Sequence, residues 1–364
     1  MKLQIKNISN KEDFGAYLEL VSSFDVINPF YVIYGATLVD DLFDALHYFT
    51  FYNDLGKVLV LMPFILRKVP YQDGETTYYD VVSPYGYSGP LYNQEMSRGY
   101  LIDFWEQVDV WYSKNDVVSE FMRFSLNNNH QFYSGILVPT LTNVKGRLKD
   151  PDLQWQSFKQ KVRNNYRKSK NGGLEAKFFT SDLVEDQNIN DFYEIYTKTM
   201  SRIGADASYF YSLAYFKNLL KLSQNNFVLV LIYKDAIPIS GEIVLTSGDT
   251  LYSYLGGALS DYFQYRPNDF LKIEVMTWAY KHQYKYYLLG GGRKDGDSLY
   301  QYKKTFFDSE PDITFYTGRK IINHEVYNQL DTLLNMTIDA DTGTKVNQSI
   351  HKSNYFPSYR KFQL

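Results

Sequence analysis

A chain without cysteine must do its chemistry with carboxylates, amines, hydroxyls and backbone groups. The 364-residue sequence has no cysteine and five histidines, which removes thiolate nucleophiles, disulfides and cysteine-ligated metal sites. None of the histidines is paired at helical spacing, so no zinc pattern is present. Glu242 lies in the alternating stretch from Ile237 to Thr246, on the face shared with Ser240 and opposite Ile239, Ile243 and Leu245. A strand carboxylate facing a cleft can take the proton from an attacking amine, whereas one on an open surface would only be solvated. Tyr252 and Tyr254 share one face of the next strand, either flanking a channel or packing on the sheet. Arg202 closes a helical stretch, where it can bind phosphate or complement the helix dipole. Lys303, judged by its surroundings in sequence, is a solvent-facing helix lysine. Gly290-Gly291-Gly292 lacks the lysine-serine or lysine-threonine pair of a phosphate loop and reads as a strand-ending turn. Asp295-Gly296-Asp297 is too short for a calcium loop.

The elements that must position these residues follow from periodicity. Leu3 and Ile5 alternate as a strand, and Ser9 with Glu12 forms a capping box before Phe14, Leu18 and Val21 at helical spacing. A second helix is expected near residues 37–46, then a hairpin from His47 to Arg67 around Asp54-Leu55-Gly56. A strand from Thr76 to Val82, a helix from Met96 to Tyr112 and a strand from Val117 to Leu126 complete the first half. The second half repeats this order. It runs from a strand, Leu174 to Thr180, through helices at Asn188 to Ile203 and Ser208 to Leu222, to a hairpin around Asp235-Ala236. Thr250 to Gly256 is a strand, Pro267 to Lys281 a helix and Tyr284 to Leu289 a strand; a helix from Ser298 to Phe306 and a strand from Ile313 to Tyr316 follow. Strand, two helices, three strands, helix, strand thus occurs twice, which an internal duplication explains.

Length fits two compact cores, and 45% apolar with 22% charged residues supplies the material to bury them. The fold class expected is α+β, mixed α/β, in two tandem domains, each a mixed central sheet flanked by helices. Their limits are residues 1–150 and 174–320, joined by a basic linker helix over 151–173 and followed by a helix and tail over 321–364 that pack back on them. The linker gathers Lys159, Lys161, Arg163, Arg167, Lys168 and Lys170 around a face of Leu153, Val162 and Tyr166, making it either a solvated helix or a phosphate platform. A net charge of -3 disfavours general DNA binding. The start, Met1 to Ser9, has no signal-peptide pattern, and the longest apolar run, Val58 to Leu66, falls well short of the roughly 20 residues of a membrane span. A soluble, cytoplasmic protein is expected.

The element order resembles that of the GNAT acyltransferase superfamily, and the second half is similar to the C-terminal domain of Fem-type aminoacyltransferases of cell-wall and polysaccharide pathways. The residues that carry the likeness are Trp155 to Gly173 and Tyr196-Thr197-Lys198-Thr199-Met200-Ser201-Arg202, followed by Tyr209 and Tyr215-Phe216. Above all they are Leu289-Gly290-Gly291-Gly292 and the helix Ser298 to Phe306, with its aromatic-lysine-x-x-phenylalanine pattern. In the first half, the loop Ser83-Pro84-Tyr85-Gly86-Tyr87-Ser88-Gly89-Pro90 is similar to one in many relatives.

The resemblance implies transfer of an acyl or aminoacyl group onto an amine of a cell-envelope or polysaccharide precursor. It places Lys303 beside the reaction centre, and Glu242, read from its strand face, stands as the second catalytic candidate. Arg202, Tyr209, Tyr252, Tyr254, Arg266, Tyr302, Tyr85 and Tyr87 then become the substrate-binding candidates. The donor would be an aminoacyl-tRNA or an acyl-coenzyme A, with nothing tightly bound, and the acceptor a small-molecule or lipid-linked precursor. Two departures matter. Asn28-Pro29-Phe30-Tyr31-Val32-Ile33-Tyr34 stands where Fem enzymes have a glutamine-serine and tryptophan signature, which leaves the acceptor open. Gln264-Tyr265-Arg266-Pro267-Asn268-Asp269 stands where coenzyme A users have a glycine-rich loop. Proline removes a donor and Asp269 repels phosphate, although Arg266 supplies compensating charge. The alternatives are a coenzyme-A-dependent N-acetyltransferase and a degenerate, non-catalytic GNAT-like binding protein.

Overall fold

The computed structural model of the chain describes residues 1–25, 28–33, 46–73, 76–93, 96–342 and 355–361. Two compact units are formed: Met1–Val26, Asp41–Thr140 and Phe315–Leu364 make unit 1, and Ile27–Asp40 with Leu141–Thr314 make unit 2.

Unit 1 begins with β1 (Lys2–Asn7) and α1 (Lys11–Ser22). Asn10, rather than Ser9, is the N-cap of α1, its side chain accepting from the Glu12 and Asp13 amides. Asparagine competes with serine for this role, and the one-residue choice depends on where the chain turns off β1. The helix expected near residues 37–46 lies outside the described residues except for Leu46, which opens β2. β2 (Leu46–Tyr52) and β3 (Val58–Asp73) form the expected hairpin. Asn53 accepts from the Leu55 and Lys57 amides across the turn, and Gly56 takes φ 77°. β4 (Thr76–Val82), α3 (Arg98–Lys114) and β5 (Val117–Arg123) follow. β4 pairs with β5 in parallel, as a strand-helix-strand crossover requires.

In unit 2, α2 (Phe30–Ile33), β6 (Ile136–Arg147), α4 (Pro151–Ser157) and α5 (Gln160–Asn171) precede β7 (Leu174–Phe179). The basic segment is therefore two helices, broken at Phe158, whose extended conformation turns its ring into the core. Both helices pack against the later helix α8 (Pro267–Lys281), so the segment is part of this unit. α6 (Asp186–Arg202) comes as expected, but the next helix, α7 (Leu213–Ser223), starts later than Ser208, capped by Ser212. β8 (Phe227–Lys234) and β9 (Ile237–Ser247) form a hairpin whose turn residues Asp235 and Ala236 take φ 49° and 64°. β10 (Thr250–Ala258), α8, β11 (Tyr286–Gly290) and α9 (Ser298–Lys304) complete the unit. Residues 313–321 form β12, longer than the expected strand, and α10 (His324–Thr342) packs with Tyr359 on Val69 and Val118 of unit 1.

The two sheets have the same plan. In unit 1 the order is β1-β2-β3-β4-β5-β12, and in unit 2 it is β7-β8-β9-β10-β11-β6. Each is antiparallel except at one central parallel pair, β4–β5 or β10–β11. The sixth strand is exchanged in sequence. β6 follows the first half of the chain yet pairs with β11, and β12 follows the second half yet pairs with β5. β6 had no counterpart in the periodicity, since its burial lacks a clean alternation.

Candidate functional site in unit 2

β10 and β11 run parallel through only three pairs, from Thr250↔Tyr286 to Tyr252↔Leu288. β10 then continues to Ala258 against β9 with a bulge between Ser253 and Leu255, while β11 turns at Gly290, φ 75°. Where these strands part, buried polar groups collect. Glu242 is 4% exposed. The alternation placed it correctly on the face of Ser240, but that face is roofed by α8 rather than opening on a cleft: Ser240 Oγ donates to Asn268 of α8 at 3.1 Å.

Lys272 of α8 donates to Glu242 Oε1 at 2.6 Å and contacts Tyr287 Oη at 3.2 Å and Ser253 Oγ at 3.0 Å. Tyr287 donates to the other carboxylate oxygen at 3.0 Å, and Ser253 also donates to Glu242. Burial, followed by the Glu242 charge, pushes the Tyr287 phenol well up, so it stays a donor. Both carboxylate oxygens are thus engaged by neighbouring side chains, which leaves the group little room to act as a base. Sequence reasoning did not single out Lys272. Its signal was there: within α8 it falls in line with Met276 and Ala279, both buried, at helical spacing.

Lys303 lies near this pair. Its ammonium donates to the Gly291 carbonyl at 2.7 Å, at the turn that ends β11. Its pKa is lowered to about 8, chiefly by burial and then by the Lys272 charge, with Glu242 and Asp297 opposing the change. Asp297 caps α9, accepting from the Tyr300 amide at 2.9 Å, so the helix carrying Lys303 is fixed at its start. Beside it, the buried Tyr302 hydroxyl has no hydrogen-bond partner among the described residues. Burial raises its pKa, with Asp269 and Glu242 adding to the effect.

The remaining candidates are spread more widely. Tyr252 and Tyr254 meet Phe30 edge-on at 6.2 and 5.6 Å, and Tyr254 Oη lies 2.8 Å from Tyr215 Oη of α7. Both therefore project from the face of β10 opposite Ser253. Arg202 ends α6 with its guanidinium over Phe263 at 4.9 Å, and Tyr209 is exposed, its carbonyl accepting from Tyr196. Arg266 takes φ 58° at the start of α8. Tyr85 and Tyr87 belong to unit 1: Arg123 lies over the Tyr85 ring at 5.8 Å, and Tyr87 meets Phe315 edge-on at 5.7 Å.

The start of α8 is occupied from within. Pro267 offers no N–H. Asp269 is half-buried, and it accepts from Asn165 of α5 at 2.9 Å and from its own amide. Burial raises its pKa, while Arg266 and Lys161 draw it back.

Residues 156–304 match the family model for the acetyltransferase (GNAT) domain. This segment is a GNAT-family acyltransferase domain. The match takes in every residue of the buried cluster, from Glu242 to Lys303. A sequence search of the curated proteins finds no match. Among solved structures, FemX superposes with TM-score 0.59 at 13% identity, covering 90% of this chain and 99% of that one. The structure of L-PGS from Bacillus licheniformis gives 0.56 at 10%, covering 88% and 95%. The C-terminal domain of a putative lysylphosphatidylglycerol synthetase from Agrobacterium fabrum gives 0.55 at 10%, covering 84% and 92%. At these identities the likeness shows the fold, one of tandem GNAT-like units. The chain thus shares its fold with FemX and carries an acetyltransferase (GNAT) domain over residues 156–304. Among the described residues no helix is long and apolar enough to cross a membrane.

Proposed function

We propose that the protein transfers an aminoacyl group from an aminoacyl-tRNA ester to an amine of a cell-envelope or polysaccharide precursor, small or lipid-linked. The observation that carries this reading is Lys303: a partly buried amine in the GNAT domain, fixed by Gly291 beside a charged pair. The acceptor nitrogen attacks the ester carbonyl carbon, the C–N bond forms and the carbonyl electrons move onto oxygen. Lys303, as its ammonium, stabilises that oxyanion, whose charge appears only on the way to the transition state. Collapse breaks the C–O bond, and the leaving ribose oxygen takes up the proton that the nitrogen gives up. In this reading Glu242 holds Lys272 in place and does not abstract the proton.

An ester donor is favoured over coenzyme A by the start of α8. There a pyrophosphate would compete with the Asp269 carboxylate for backbone amides and would meet its charge. Tyr302, whose buried hydroxyl has no partner among the described residues, and Arg202, Tyr209, Arg266, Tyr252 and Tyr254 are proposed donor and acceptor contacts of unit 2. Tyr85 and Tyr87 are proposed contacts of unit 1. The names of the lysylphosphatidylglycerol synthetases attach the fold to an aminoacylated lipid, which supports an envelope acceptor. Coenzyme A remains the rival donor, and a binding protein without activity the rival role.

Single-turnover transfer with labelled aminoacyl-tRNA and labelled acyl-coenzyme A, against amine-bearing envelope precursors, tests this. Transfer from the tRNA ester is expected. Transfer from coenzyme A alone would overturn the choice of donor, and no transfer from either would overturn the enzyme reading.

A further inference from the structure

α5 contains five cations, Lys161, Arg163, Arg167, Lys168 and Lys170, and no acid, and its N-cap is Lys159, which makes no side-chain cap. This charge pattern works against the helix. Lys161 and Arg163 put positive charge on the first turn, where the backbone dipole favours an anion, and Lys159, Arg163 and Arg167 follow one another at like-charge i,i+4 spacing. The fold accounts for two of the cations, because Lys159 pairs with Asp308 at 2.7 Å and Lys170 with Glu274 at 3.2 Å. Lys161, Arg163, Arg167 and Lys168 have no ion pair among the described residues. Arg163 and Arg167 are held instead by neutral partners, Gln160 at 3.0 Å and Asn164 at 3.2 Å, and Arg167 lies over the Trp155 ring at 5.3 Å. Their guanidinium groups are thus oriented with N–H donors left over for an anion.

Val162 and Ser169 mark the buried side of α5. At about 100° per residue, the opposite side is a strip through Asn164 and Asn171, with Arg163 and Arg167 along one edge and Lys161 and Lys168 along the other. All six are exposed except Arg163, which is half-buried.

We propose that this outer face of α5 binds the sugar-phosphate backbone of the RNA that carries the donor ester. This rests on the aminoacyl-tRNA reading. The cations neutralise phosphates, and the interleaved asparagine amides can bond 2′-hydroxyls. The face begins beside the reaction site: Phe158, just before α5, meets Phe306 edge-on at 6.4 Å, and Lys159 binds Asp308, both just past the helix that carries Lys303. A lipid surface fits less well. The apolar residues of α5, Val162 and Tyr166, are spent on the unit 2 core, so the outer face has no apolar side chain to insert.

Fluorescence anisotropy with deacylated tRNA across a salt series tests this, comparing the full chain with a variant carrying Lys161→Gln, Arg163→Gln, Arg167→Gln and Lys168→Gln. Glutamine is a good helix former, and relief of like charges should leave the melting temperature no lower. The slope of log Kd against log salt should flatten by roughly three, somewhat under one per lost phosphate contact, and Kd should rise by roughly a hundredfold near 0.1 M salt. The control carries Lys2→Gln, Lys6→Gln, Lys11→Gln and Lys57→Gln, which remove the same charge from exposed positions of unit 1 and should leave the slope nearly unchanged. Equal losses in both variants, or none in the α5 variant, would overturn the proposal. So would binding to phosphatidylglycerol vesicles that depends on the α5 cations while tRNA binding does not. An α5 variant that transfers from subsaturating aminoacyl-tRNA at the wild-type rate would refute the surface and leave the donor reading standing. Wild-type protein that binds tRNA through α5 yet transfers only from coenzyme A would do the reverse.

Discussion

The Lys303 ammonium donates to the Gly291 carbonyl at 2.7 Å, joining the helix after β11 to the turn that ends it. One of three N–H donors is spent on orienting the group, and two remain for a substrate oxygen. Replacing Lys303 by methionine keeps most of the stem's packing. Transfer should fall by roughly a hundredfold or more in single turnover, the usual cost of losing one oxyanion donor, with the variant at least as stable as wild type below pH 8, where the buried charge is a cost. Lys304 is the control, because its ammonium is engaged elsewhere, by Asp312 at 2.8 Å and the Glu310 carbonyl at 2.5 Å. Lys304→Met should leave the rate within about twofold, and an equal loss in both variants would point to a helix effect instead.

Lys303 titrates near 8 when folded, against 10.5 for an ordinary lysine. Because the ammonium is the working form, transfer should fall as pH rises through about 8, with a one-proton slope. The folded pKa lies below the unfolded one, so the unfolded chain holds more protons between those values. The cost of burying the charge is therefore present in full below pH 8 and is relieved as pH rises from about 8 to 10.5. Denaturant melts of wild type and Lys303→Met should converge across that window in favour of wild type. A pH-independent difference would mean that the amine is not depressed.

Lys272 and Glu242 should behave as a coupled pair in urea unfolding. Lys272→Met leaves a buried carboxylate without its cation and should cost about 3–5 kcal/mol. Adding Glu242→Gln removes the stranded charge, so the double variant should be more stable than Lys272→Met alone. Additive losses would show that the two act independently.

Gly146 of β6 has the Phe307 ring against the place where a Cβ would go. Phe307 is 3% exposed in the unit 2 core, so Gly146→Ala must displace it, at about 3 kcal/mol. Gly15 in α1 has nothing within 4 Å of its added Cβ, and Gly15→Ala should stabilise by about 0.5–1 kcal/mol. Thermal melts of the two variants should move in opposite directions; parallel shifts would contradict the packing.

Asp80 of β4 is fully buried and binds Arg67 at 2.7 Å, Arg360 at 2.8 Å and the Tyr359 hydroxyl at 3.2 Å. It thus ties residues 355–361 to the unit 1 sheet. Asp80→Asn removes the charge from both guanidinium contacts, and hydrogen exchange in that segment should rise at least tenfold, which corresponds to about 1.4 kcal/mol. Unchanged protection there would assign the docking to Tyr359 packing alone.

Periodicity by itself determined the elements whose signals are local. The hairpin turns at Gly56 and at Asp235-Ala236, the helices from Arg98 and Pro267, and the side of β9 that carries Glu242 were all legible, because turn dihedrals and side-chain alternation are properties of a few adjacent residues. The repeated order of strands was legible for the same reason. The sequence also marked Lys303, through the glycine-rich turn and aromatic-lysine helix that resemble a known family. What lay beyond it was anything set by residues far apart in the chain. The exchange of β6 and β12 depends on strand pairing, whose partners no local pattern names. The cover over Glu242 comes from a helix thirty positions on in the chain, and its lysine makes sense only once Ser253 and Tyr287 stand around it. Tertiary packing alone decided that this carboxylate would be fully partnered and that the Lys303 amine would be depressed, because burial and neighbouring charge, not residue type, set the acidity of that amine.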